Sequence, residues 1–311
     1  MGDLHGAKER LLQLLQHVQF DSSIDRLISV GDLVDRGPDN VWCMALLDEP
    51  WFHCVRGNHE QLMLDEFYGG MLQDWWVPNG GAWGLEYLKT YRYGTDEDKQ
   101  EPKFVEFMRL LEKVKELPVV MSVEQADGSY FHVLHAEIPY RNMMVGVPST
   151  LTDKDLRDEE TVKQLMKLQT RDGDFLTWGR YTFGAFIRKV IANEQKALRI
   201  LASKEYFFGP ELGHIYSGHS IMHRPLTIGG QTNLDTCGYG SLSMHPKQYE
   251  ALTMVEHATH TFYQANAEGV KVVEPVVLTS DHIMNVRGSV NDPEDFREIQ
   301  EAWNSLSTPQ P

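Results

Sequence analysis

The sequence predicts an α/β domain, and three observations predict it. Short apolar runs alternate with stretches of helical periodicity over the first third, and the early runs stop close to a glycine. Polar residues able to carry chemistry stand just beyond those runs. In open α/β sheets ligands gather beyond the carboxyl ends of the strands, so those positions are where function is to be sought.

Taken in chain order, residues 7–18 carry Leu11, Leu12, Leu14, Leu15 and Val18 at helical spacing and predict a helix. Residues 26–30 form a short apolar run that stops at Gly31, as a buried parallel strand does. Pro38 can open the next helix, which runs to Leu47, because a first helical position needs no amide hydrogen. Residues 51–55 predict a second strand ending at Gly57, and residues 59–67 are helical again. Residues 61–115 and 152–212 read as mainly polar-helical insertions with glycine-rich patches at Asn79-Gly80-Gly81 and Gly173. From Leu117 onward strands are expected at residues 117–123, 130–134, 215–217, 232–234, 242–244 and 252–255. The last stretch begins like a capped helix, with Asp292 before Pro293, and ends in a loose Ser-Thr-Pro-Gln-Pro tail. No linker divides the chain, so residues 1–290 are expected to form a single domain, followed by a C-terminal helix and tail over 291–311.

The formal charge of −16 over 311 residues argues against general affinity for nucleic acid or anionic membranes, both of which reward Lys and Arg. It does not exclude an anionic substrate, since local cations can set the sign of a site against the global field. Cys43, Cys54 and Cys237 are sparse, odd in number and without a Cys-x-x-Cys pair, which fits a reducing compartment better than a disulfide framework. No signal-peptide apolar region opens the chain and no apolar run approaches the roughly 18 residues of a membrane span, so a cytoplasmic location is expected.

Five segments combine Asp, Asn and His with glycine or a strand end: Gly2-Asp3-Leu4-His5-Gly6, the run from Gly31 through Asp32, Asp35 and Arg36 to Gly37, Gly57-Asn58-His59-Glu60, Leu134-His135-Ala136-Glu137, and Gly218-His219-Ser220. Carboxylate, imidazole and amide together make a hard-to-borderline donor set suited to Mn²⁺, Fe or Zn²⁺. Singly, each segment reads as readily as a solvated pair, a helix cap or a core histidine. Their joint presence is the signal. The remaining histidines, such as His17, His53, His132, His214 and His257, have no such context and read as core or surface residues.

These five motifs, in this order, resemble the signatures of the phosphoprotein phosphatases, and most closely the compact phage and bacterial members. The Asn79-Gly80-Gly81-Ala82-Trp83 and Leu234-Asp235-Thr236 stretches add to the likeness. The resemblance implies a calcineurin-like metallophosphoesterase β-sandwich flanked by helices. It also implies two divalent metal ions, Mn²⁺ first and Fe or Zn²⁺ as alternatives. Asp3, His5 and Asp32 would hold one ion, and Asp32 would bridge to a second held also by Asn58, His135 and His219. His59 would be the general acid, with Asp35 orienting and charge-stabilising it. Arg36 and Arg180 would grip the phosphate, Arg180 on a looser match. Arg56 is a third candidate contact, with a structural ion pair behind the site as its alternative. The implied activity is hydrolysis of phosphomonoesters on protein Ser or Thr by direct attack of a metal-bridging hydroxide, the partner being a phosphoprotein or phosphopeptide.

One departure stands out. The family carries an apolar strand ahead of the first motif, and here Met1 directly precedes that motif. Asp3 and His5 are therefore expected on a frayed terminus, with a weakly held first ion. Two rival functions share these features. Symmetrical dinucleoside tetraphosphate hydrolases have the metal motifs, but as a family they lack the Asp35-Arg36 pair and carry Asp at the position of Glu60. A weakly active regulatory or binding module is the other rival.

Overall fold

The computed structural model describes residues 1–69, 75–138, 151–168, 173–180, 183, 211–222, 224–228, 230–240 and 250–278. The first third alternates as expected: α1 (Lys8–His17), β1 (Leu27–Ser29), α2 (Asn40–Ala45), β2 (Phe52–Cys54) and α3 (Asn58–Tyr68). Leu11 and Leu14 form the buried stripe of α1. β1 and β2 pair in parallel, Leu27 opposite Phe52 and Ser29 opposite Cys54. The helix expected from Pro38 starts two residues later, at Asn40, and passes at Leu46 into a short 3₁₀ turn.

Two helices follow, α4 (Leu85–Tyr93) and α5 (Pro102–Lys115), and then the antiparallel pair β3 (Val120–Glu124) and β4 (Tyr130–Leu134). Pro102 occupies the first position of α5, where its missing amide hydrogen costs nothing. The second insertion contributes α6 (Asp153–Arg157), α7 (Glu159–Met166) and α8 (Phe175–Trp178). The remaining strands are β5 (His214–Ser217), β6 (Leu226–Ile228), β7 (Gln231–Asn233), β8 (Leu252–Glu256), β9 (Thr261–Asn266), β10 (Gly269–Val273) and β11 (Val276–Leu278). A mixed six-stranded sheet runs β11-β6-β7-β5-β4-β3, and β8, β9 and β10 form an antiparallel meander. The expected strand at 242–244 and the expected helix and tail at 291–311 lie outside the described residues.

Apolar burial explains the layering. Val133 and Tyr216 of the six-stranded sheet pack with Val30, Val55 and Leu234 against Phe262 and Val273 of the meander, which makes the inner layer of a sandwich. Helices α1 to α5 bury Leu11, Met63, Phe107, Leu110 and Leu111 with β1, β2 and β8. Outside the other sheet, Leu134 and Ile215 pack with Leu156, Leu165 and Leu176 of α6, α7 and α8.

The frayed terminus is not found. No regular strand precedes β1 among the described residues, yet the first residues are hydrogen-bonded on both sides. The Met1 amino group donates to the Ile28 carbonyl at 2.8 Å, the Val30 amide to the Met1 carbonyl at 3.0 Å, and the Gly2 amide to the Thr253 carbonyl at 2.9 Å. Leu4 is fully buried, as is His5, and Asp3 is 2% exposed. Burial also pushes the Met1 amino group down to about 5, despite the nearby Cys54 and Asp3. Asp3 and His5 are thus held as firmly as strand residues, which removes the premise for a weak first site.

Candidate metal and phosphate centre

The motif residues meet where the turns after β1, β2, β4 and β5 converge, at the carboxyl ends of those strands. The backbone there is strained. His5, Asp32, Asp35, Arg36 and His219 all have φ between 44° and 73°, a region that non-glycine residues rarely occupy. Such strain persists only where surrounding contacts over-determine it, and here hydrogen bonds do so. The amides of Leu4 and His5 both donate to the Asp32 carbonyl, at 3.0 and 2.8 Å, and the Gly37 amide donates to the His5 carbonyl at 3.1 Å. A side chain could not replace Gly57, because its Cβ would lie 2.2 Å from Oδ1 of Asp32.

Glu60 is the anchor beneath this turn, a role that its place in the motif does not reveal. Its buried carboxylate accepts from the amides of Asp32 at 2.8 Å, Leu33 at 2.7 Å and Gly57 at 2.9 Å. Burial and then Asp32 push its pKa up to about 7, while those amides pull the other way. Glu60→Ala leaves three buried donors unpaired, each costing about 1–3 kcal/mol. A loss of roughly 3 kcal/mol or more in urea unfolding is expected, and a variant within about 1 kcal/mol of the parent would show the anchor to be dispensable.

Two groups of potential ligands share Asp32: His5, Asp32 and His59 in one, and Asp32, His135 and His219 in the other, the donor atoms of each lying within 4.8 Å of one another. His5 Nε2 is 3.4 Å from Asp32 Oδ2, and His135 Nε2 is 3.4 Å from Asp32 Oδ1. Asn58 Oδ1 lies 2.9 Å from His135 Nε2 and 2.8 Å from His219 Nδ1. The first group differs from the expected set. His59 stands in it and Asp3 does not; the Asp3 carboxylate accepts from the His219 amide at 3.1 Å.

The donor set fits divalent ions. His5 Nδ1 faces the Val34 carbonyl at 2.7 Å and His135 Nδ1 faces the Val30 carbonyl at 2.8 Å. A carbonyl only accepts, so each ring carries its proton on Nδ1 and turns a lone pair on Nε2 toward Asp32. Burial, joined by Arg36 at His5 and by Arg180 at His219, holds the His5 and His219 pKa values well below the usual imidazole value, and burial lowers that of His135. All three therefore stay neutral at physiological pH. At Asp32 burial opposes ionisation, but the positive charge of Arg36, with that of His135, His59 and His5 whenever they are protonated, holds the carboxyl below its ordinary range. Asp3 moves the other way, raised by burial and by Asp235 and Asp32. Several lone pairs thus converge on one space with too few protons to share, an arrangement that a cation relieves. The donors are oxygen and imidazole nitrogen only, which favours Mn²⁺, Fe or Zn²⁺ over soft ions.

The guanidinium groups flank these clusters. Arg36 Nη1 is 2.7 Å from His5 Nε2 and Nη2 is 2.9 Å from His59 Nε2, and the group lies over the Tyr239 ring at 5.0 Å. Tyr239 also meets His5 edge-on, at 5.0 Å between ring centroids. Arg180 Nη1 donates to the His219 carbonyl at 2.8 Å. His59 Nδ1 faces Asp35 Oδ2 at 2.7 Å, and the His59 amide donates to Asp32 Oδ1 at 3.0 Å.

Arg56 requires a correction. Its guanidinium donates to Gln61 Oε1 at 3.1 Å and to the carbonyls of Lys115 and Leu117 at 3.1 and 2.9 Å, so it caps the end of α5 rather than facing the clusters. Its surroundings are structural, but through hydrogen bonds to carbonyl and amide oxygens, which is not the ion pair expected as the alternative. Arg56→Ala is expected to cost about 1–3 kcal/mol of stability and leave KM unchanged; a several-fold rise in KM at unchanged stability would restore it to the site.

Two imidazole clusters sharing one buried carboxylate, on strand ends and flanked by guanidinium groups, define the class: a metallophosphoesterase. The model of the calcineurin-like phosphoesterases matches residues 1–221, and the chain belongs to that family. The chain is 34% identical over 146 residues to serine/threonine-protein phosphatase 2 of Escherichia coli strain K12, covering 47% of this chain and 61% of that one. It is 48% identical over 83 residues to serine/threonine-protein phosphatase 1 of Salmonella typhimurium strain LT2, covering 27% and 38%. A symmetrical bis(5'-nucleosyl)-tetraphosphatase of Coxiella burnetii is 42% identical over 77 residues, covering 24% and 26%. The matches thus span less than two thirds of the length of each of these relatives. Among the described residues no helix is long and apolar enough to cross a membrane.

Proposed function

We propose that the protein is a metal-dependent phosphatase acting on phosphoserine and phosphothreonine in proteins or peptides. The observation that carries this reading is the Asp35–His59 contact of 2.7 Å standing beside the Asp32 clusters. Asp3, His5, Asp32, Asn58, His135 and His219 would hold two divalent ions, Mn²⁺ by preference. When bound, the ions supply an activated water and neutralise charge on the phosphoryl oxygens.

The chain's own residues do the rest. Arg36 and Arg180 offer guanidinium forks to the non-bridging phosphate oxygens, a geometry that ammonium groups cannot reproduce. Once Arg36, 2.9 Å from His59 Nε2, has turned to the phosphate and left that nitrogen free to carry a proton, His59 gives the proton to the departing serine or threonine oxygen, a poor leaving group without one. Asp35, fully buried, holds the opposite ring nitrogen and balances the charge of the imidazolium. A cytoplasmic location and a single domain over residues 1–290 complete the proposal.

The Asp35-Arg36 pair separates this reading from dinucleoside tetraphosphate hydrolysis. With Mn²⁺ present, a phosphothreonine peptide and a dinucleoside tetraphosphate are assayed side by side. The peptide is expected to turn over at least about tenfold more efficiently, roughly 1.4 kcal/mol in the barrier. Preference for the dinucleotide would overturn the proposal, and inactivity toward both would leave the binding-module alternative standing.

A further inference from the structure

We propose that Trp76 and Trp83 are positioning residues of the acid–base pair, fixing the Asp35 carboxylate so that one oxygen is aimed at His59. This rests on the phosphatase reading above and deepens it. Trp76 Nε1 donates to both Asp35 oxygens, at 3.0 Å to Oδ1 and 3.1 Å to Oδ2, and Trp83 Nε1 donates to Oδ1 at 2.7 Å. Oδ1 is therefore taken by two indoles, while Oδ2 meets His59 Nδ1 at 2.7 Å. The carboxylate is fully buried and cannot turn without leaving an indole N–H unpaired.

The choice of donor has a chemical consequence. An indole N–H donates only and does not titrate in the physiological range. A Lys or Arg in its place would cancel the charge of Asp35 and weaken its hold on the imidazolium. Tryptophan fixes the carboxylate and leaves its negative charge intact for His59.

The two rings are themselves anchored in the helical layer. Trp76 is fully buried, edge-on to Phe67 of α3 at 6.0 Å, and Trp83 meets Tyr87 of α4 and Phe107 of α5 at 6.3 and 6.1 Å. Glycines make room for them, since a Cβ at Gly81 or Gly84 would lie 2.4 or 2.3 Å from the Trp76 ring. Gly80, at φ 111°, turns the chain so that its carbonyl faces the Arg36 amide at 3.4 Å. The helices of the first insertion thereby reach the reacting groups through hydrogen bonds to a single carboxylate.

The test uses Trp76→Phe, Trp83→Phe and the double variant as Mn²⁺-loaded enzymes, since phenylalanine keeps an aromatic ring and removes the donor. Each is assayed with a phosphoserine peptide, whose alkoxide needs a proton, and with a nitrophenyl phosphate, whose leaving group does not. For the peptide, kcat is expected to fall on the order of tenfold per variant, with KM little changed and nitrophenyl turnover within about threefold. Equal losses on both substrates would mean mere structural damage, and no loss on either would mean no role; each overturns the proposal. Trp83 is only half-buried and carries the test if Trp76→Phe fails to fold. A second readout needs no activity: the His59 Nδ1 proton is expected to be protected from solvent exchange in the parent and to lose at least about tenfold of that protection in the variants. Should the parent hydrolyse neither substrate, the phosphatase reading falls while the exchange measurement still decides the positioning role.

Discussion

Treatment with a strong chelator is expected to abolish phosphopeptide turnover, and added Mn²⁺ to restore it. Asp32→Asn should resist that restoration. Asp32 is the one carboxylate common to both ligand clusters, and its oxygens lie 3.4 Å from His5 and from His135. Its pKa is lowered in spite of burial, so it presents full negative charge at any physiological pH. An amide at the same place keeps the shape and loses that charge, and both ions would be weakened together. The expected loss is roughly 10³-fold in kcat/KM at moderate Mn²⁺, the scale on which a preorganised charge clamp acts on a transition state. Metal analysis of the dialysed parent is expected to return two equivalents, since Asp3 and His5 are buried and held by backbone hydrogen bonds. Turnover that survives chelation would rule out the proposed mechanism.

The second large effect is expected at His59. His59→Asn should lower kcat for a phosphoserine peptide by about 10²- to 10⁴-fold, the usual contribution of a general acid, and change KM by less than about threefold. Protonation of the leaving oxygen occurs only in the transition state, so its loss belongs to kcat. A variant with raised KM and unchanged kcat would remove His59 from the acid role. The same substitution should cost far less with a nitrophenyl phosphate, because that leaving group departs without a proton.

Much of the site is legible in the sequence, because motif glycines and ligands lie within a few residues of one another along the chain. Asp32, Asn58, His59, His135 and His219 stand out in this way, and the fold brings all five together with His5. The strand positions at 27–29, 52–54, 130–134 and 252–256 are readable because apolar runs bounded by turns leave few alternatives. Strands β9 and β10 are not, since their sequences mix Thr, Gln, Lys and Gly without a clean alternation, and β6 and β11 are only three residues long. Trp76 carries no local signal whatever. Its meaning comes from a hydrogen bond to a residue 41 positions away. Arg56 misleads for the opposite reason, since it sits beside the Gly57-Asn58-His59 motif while its guanidinium turns to the end of α5.

Donor chemistry and the α/β class follow from the sequence alone, since these depend on residue types held at short spacing, while the proposed pairing of Asp35 with His59 is implied by the family resemblance. How those parts are held is a property of the folded chain only. The first residues are locked between β1 and β8, Glu60 ties the strained turn at Asp32, and Asp35 hangs from two indoles of a helical insertion. One cause is common to all three. Each depends on pairing buried polar groups across long sequence separations, and only the packed chain says which partners meet.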